Sequence, residues 1–88
     1  MDKARKDILT AAVEHYGHGP QIQKTVEELS ELIRALARLD DLDNIAEEIA
    51  DVRIMLDQLM IIFGNREAVQ VWELRKLQRL NRRMGAKP

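Results

Sequence analysis

The chain has 88 residues, of which 45% are hydrophobic and 33% charged, and its formal net charge is −1. It contains no cysteine, which excludes disulfides and thiolate chemistry and fits the cytoplasm. No segment nears the roughly 20 apolar residues of a membrane span, and the opening "MDKARKDILTAAVEHYG" lacks the layout of a signal peptide.

A single domain over residues 1–88 is expected, and the low aromatic content suits an all-α fold. Four helices follow in chain order. The first spans about Asp2 to His15, with Ile8, Leu9, Ala12, Val13 and Tyr16 at helical spacing. "GHGP", residues 17–20, interrupts it, and Pro20 suits the first turn of the next helix. That second helix runs to about Leu39 with an apolar stripe of Ile22, Val26, Leu29, Ile33 and Leu36. After the turn "DDLD", Asn44 and Glu47 read as a capping box for a third helix. Its stripe is Ile45, Ile49, Val52, Leu56, Leu59, Met60 and Phe63, and it stops at Gly64. The fourth helix covers about Arg66 to Met84, with Val69, Trp72, Leu77 and Leu80 expected to face inward.

The second and third helices carry one acidic pattern twice: Glu28 and Glu31 in "VEELSEL", then Glu48 and Asp51 in "AEEIADV". Residues three apart share a helix face, and helices joined by a short connection pack antiparallel. Glu31 and Asp51 lie equally far from Asp41, so these two are expected at similar height. If Leu29 and Ile49 mark the buried stripes, Glu28 and Glu48 border the core. A like-charge pair at about 4 Å costs on the order of 4 kcal/mol at an effective dielectric of 20. A hard divalent cation, Mg²⁺ with Mn²⁺ as substitute, removes that cost, because both prefer carboxylate and water oxygens. An isolated E-x-x-E is more often a solvated surface; two copies in phase on adjacent helices favour a metal site.

Other polar residues complete the pattern. Gln21 and Lys24 precede the first acids on the same flank, and Lys24 is spaced for an i,i+4 pair with Glu28. On the last helix Lys76, Arg79 and Arg83 recur at i, i+3, i+7, whereas Arg75 and Arg82 point elsewhere. Residues 27–57 hold ten acids against three arginines, and residues 72–88 hold six basic residues against one acid. That layout invites a ligand that pairs a cation with anionic groups and disfavours nucleic acid. Arg53 sits among apolar positions one turn before Asp57, a possible ion-pair partner. His15, Tyr16, His18 and Trp72 are the side chains able to stack on or bond a base.

With Glu28-x-x-Glu31, sixteen residues, and Glu48-x-x-Asp51, the chain resembles the MazG-type all-α nucleotide pyrophosphohydrolases from about Gln21 to Arg83. It is closer to their small phage-type and bacterial members than to the phosphoribosyl-ATP enzymes. The resemblance implies a four-helix bundle-like fold assembled as a homodimer or homotetramer, with Mg²⁺ on Glu28, Glu31, Glu48 and Asp51. It further implies hydrolysis of a nucleoside triphosphate between its α and β phosphates, with Gln21, Lys24, Lys76, Arg79 and Arg83 toward the substrate. The rival reading is a non-catalytic helical oligomerisation or regulatory module of the same shape; a third, a nucleic-acid-binding regulator, needs an exposed basic helix. Ile54, Met55, Ile61 and Ile62 give the third helix a second apolar face, the expected contact with another copy, whose basic helix would then approach the acids.

Overall fold

The computed structural model describes residues 1–85. Within them the chain forms four helices and no strands: α1 Lys3–Tyr16, α2 His18–Arg38, α3 Leu42–Phe63 and α4 Arg66–Arg83. None is long and apolar enough to cross a membrane. Asp2 caps α1 by accepting from the Arg5 amide at 2.8 Å. Gly17 alone separates α1 from α2, at a φ of 93° that side chains rarely adopt. α2 therefore opens at His18, and Pro20 lies in its first turn, where an amide hydrogen has no partner within the helix.

The α2–α3 turn is built by three residues. Leu39 takes a left-handed conformation, φ 51°, and closes α2 as its amide and that of Asp40 donate to Leu36 and Ala35 carbonyls. Asp41 then caps α3, its carboxylate accepting from the Asn44 amide at 2.9 Å. The expected Asn44–Glu47 capping box does not form, because α3 starts at Leu42 and Asn44 is already inside its first turn, bonding back to Asp40. Replacing Asp41 with Ala should cost about 1 kcal/mol of stability, measurable as a lower urea midpoint with an unchanged slope. No change would remove Asp41 from the cap.

The packed faces of α2 and α3 differ from the apolar stripes. On α2 the buried residues are Gln21, Thr25, Glu28 and Ala35, and on α3 they are Val52, Met55 and Gln58. Val26, Leu29, Ile33 and Leu36 of the expected α2 core are exposed, as are Ile49, Leu56 and Phe63 of α3. Met55, placed by periodicity on a second face, is in the core, and Ile61 and Ile62 are half-buried. The seam between the helices follows Gln21, Thr25, Glu28, Leu32 and Ala35 on one side and Asn44, Glu48, Asp51, Met55 and Gln58 on the other. Both lines alternate steps of three and four, the spacing of a coiled-coil contact.

The register is marked by a buried hydrogen bond in which Gln21 Nε2 donates to Gln58 Oε1 at 2.7 Å. It joins the start of α2 to the last turns of α3, so the two run antiparallel. The pair is centred on Leu39–Asp40, not on Asp41, and the same centring sets Glu28 level with Asp51 and Glu31 level with Glu48. The expected match of Glu31 with Asp51 is thus off by almost one turn, since α2 ends at Arg38.

Leu9 and Val13 of α1 join Ala35, Val52 and Met55 as the only buried apolar residues among the described residues. An ion pair from Arg5 Nε to Asp57 at 2.8 Å ties α1 to α3, and Arg66 of α4 reaches the other Asp57 oxygen at 3.9 Å. Arg53 consequently does not pair with Asp57; it is exposed on the α3 side of the α3–α4 cleft. α4 touches only α3 and buries no residue: Val69 is half-buried against α3 in the cleft between them, but Trp72, Leu77 and Leu80 are exposed and do not form the inward face expected of them. The radius of gyration is 15.6 Å, against about 12 Å for a globular chain of this length.

Candidate metal centre

The helix seam explains which acids meet. Glu28, Glu48 and Asp51 all occupy seam positions, and each offers an oxygen within 4.8 Å of the others. Glu31 stands one residue off the seam, beside Leu32, and is outside this triad. It lines the adjoining cleft of about 480 Å³ with Glu48, Arg34, Arg38, Asp40, Asp41 and Asn44. Three of the four acids converge, and the fourth stands at the mouth.

Glu28 is the most deeply buried of them, at 7% exposure. Its Oε1 receives Lys24 Nζ at 3.2 Å, as the i,i+4 spacing implied. Its Oε2 is buried with no hydrogen-bond partner, and so is Oε2 of Glu48. Two orphaned anionic oxygens facing a third carboxylate are costly, because a buried charge requires a compensating partner. Burial raises the Glu48 pKa above the ordinary glutamate value, and the charges of Glu31, Asp51 and Glu28 push it the same way. Lys24 is shifted upward by its hydrogen bond and charge contact with Glu28. The oxygen-only donor set and its unpartnered atoms fit Mg²⁺ or Mn²⁺.

The remaining sequence candidates are scattered. Gln21 is buried and committed to Gln58 across the helix pair. Thr25 donates to the Gln21 carbonyl at 2.8 Å beneath it. Lys76 and Arg79 line a groove with Trp72 on α4, where Lys76 and Arg75 lie 5.9 and 5.4 Å from the indole centre. Arg83 is exposed near the end of that helix. Among the described residues, none of Lys76, Arg79 and Arg83 pairs with an acid. His15, Tyr16 and His18 are all exposed at the α1–α2 break, with the His15 and Tyr16 rings edge to face at 4.6 Å.

Arg34 and Arg38 are the residues that the sequence reading passed over. Glu31, Arg34 and Arg38 recur at i, i+3, i+7, the same spacing that singled out Lys76, Arg79 and Arg83. Arg38 approaches Asp40 at 3.8 Å, while Arg34 has no ion-pair partner among the described residues. Compared with known proteins, the chain matches no family model, no curated protein and no solved structure.

Proposed function

We propose that the chain is a divalent-cation-dependent nucleoside triphosphate pyrophosphohydrolase of the MazG type, working as an assembly of copies. The observation that carries this reading is the triad of Glu28, Glu48 and Asp51 with two buried, unpartnered oxygens. A scaffold would be more stable with apolar residues at those seam positions.

In this reading Glu28, Glu48 and Asp51 hold the cation. When bound, it supplies charge neutralisation for the phosphates and a more acidic water. Lys24 pairs with Glu28 and offers a phosphate contact. Arg34 and Arg38, on the walls of the cleft, bind phosphate oxygens as planar forks. Glu31, off the triad but at its mouth, takes a proton from the attacking water as its oxygen bonds to phosphorus. The P–O bond to the departing group then breaks, leaving nucleoside monophosphate and pyrophosphate.

The deciding experiment is pyrophosphate release from a panel of common and modified nucleoside triphosphates, with Mg²⁺ and with chelator. Release from at least one triphosphate, abolished by chelator, supports the reading. No release from any leaves the non-catalytic assembly module, which the exposed apolar side of α2 favours. Arg34→Ala should raise KM by about 10–100-fold, the range for one charge-assisted bond, with helicity unchanged. An equal rise for Lys76→Ala and none for Arg34→Ala would move the phosphates to α4.

A further inference from the structure

α4 is the one helix that buries no residue among those described, and the proposed chemistry gives it no task. Its charges are not spread evenly. At about 100° per residue, Arg75, Lys76, Arg79, Arg82 and Arg83 fall between about −80° and +40° of Trp72. No acid lies in that sector, since Glu73 stands at about +100° and Glu67 at about −140°. Arg75 and Arg82, expected to point elsewhere, line one groove of about 300 Å³ with Trp72, Lys76 and Arg79. All five cations and the indole are exposed. None of the five pairs with an acid among the described residues. Arg75 and Lys76 lie over the indole instead, 5.4 and 5.9 Å from its centre.

We propose that this groove binds a single-stranded nucleic acid, with phosphates on the cations and a base stacked on Trp72. Charge and ring together select that occupant. From Trp72 to Arg83 the cations run along about 16 Å of helix, the length of up to about five nucleotides at about 3.4 Å each. A mononucleotide fills only part of that row. A flat ring open among the cations suits an unpaired base, because bases in a duplex present only their edges. An anionic bilayer would need apolar residues gathered beside the cations. Val69 is instead turned into the α3 cleft, and Leu74 stands about 160° from Trp72. The acids that weighed against nucleic acid in the sequence belong to α2, α3 and the turn between them, whereas α4 touches only α3. The exposed basic helix that such binding needs is present. This inference uses none of the catalytic reading, so an inactive protein would leave it standing.

The test is titration with labelled oligo(dT) and oligo(U) of about 12 nucleotides, in chelator so that no ion bridges strand and acids. In 50 mM salt both should bind and quench the emission of Trp72, the only tryptophan. Five neutralised phosphates give a slope of about −3.5 for log affinity against log salt, a loss of about 100-fold between 50 and 200 mM. Trp72→Ala should weaken binding about tenfold or more at an unchanged slope. Trp72 is 57% exposed, so its removal should leave the circular dichroism spectrum as it is. Arg79→Gln should flatten the slope by about 0.7, and Lys6→Gln, at the exposed Lys6 of α1, should match wild type. No binding at 50 mM salt overturns the proposal. Binding to phosphatidylserine vesicles but not to the oligonucleotides overturns it in favour of a membrane. Equal affinity of wild type and Trp72→Ala overturns it too, since charge alone would then hold any polyanion.

Discussion

Glu48→Gln should abolish Mg²⁺-dependent pyrophosphate release, by about 100-fold or more, since even outer-shell partners of a metal are worth about 10–100-fold. Helical content should not change, because Gln preserves the shape and helix preference of the side chain. The same variant should stabilise the metal-free protein by removing one charge from the cluster. The sign follows from the raised Glu48 pKa. Between the ordinary glutamate value and the raised one, the folded chain binds more protons than the unfolded chain. Metal-free stability contributed by this group therefore falls as pH rises through that window. The advantage of Glu48→Gln should appear at neutral pH and vanish below the ordinary glutamate range, read from melts in chelator. Turnover at the wild-type rate would show that Glu48 holds no essential ion.

Met55→Ala should cost about 2–5 kcal/mol, the range for deleting a large apolar side chain from a core. That is a large share of a typical total of about 5–15 kcal/mol. Met55 is 5% exposed, and its sulfur receives Gln58 Nε2 at 3.5 Å, so truncation opens a void beside the bond that marks the register. Urea unfolding at fixed protein concentration gives the number. A loss under about 1 kcal/mol would mean that the side chain is not in the core.

Met55 also marks where the sequence was misleading. The helix boundaries were legible to within a residue or two, because Gly17, Gly64 and Asp2 act locally and leave their mark locally; the exception is the start of α3, which is capped by Asp41 three residues before the expected Asn44. Which face points inward was not. The rule that the most apolar line is buried assumes that the single chain has to cover it. Here α2 packs through Gln21, Thr25 and Glu28, and the greasier line beside them stays open. The three–four spacing of those polar residues was visible, but two interleaved lines of equal period cannot be ranked by period, only by apolarity, and apolarity ranked them wrongly. The acids were recognisable as a repeated motif; that Glu31 stands aside from the other three depended on which line of α2 meets α3, since Glu31 lies one residue off that line.

The one-residue offset between the seam and the apolar line makes helix length unforgiving. Deleting any residue of α2 between Thr25 and Glu28 would swing the rest of the helix through about 100°. Leu29, Ile33 and Leu36 would then occupy the line now held by Glu28, Leu32 and Ala35. The acid would leave the seam, a leucine would enter it, and the outer surface of the helix would turn polar. A substitution alters one side chain, but a frame slip inside α2 exchanges the two sides of the hairpin.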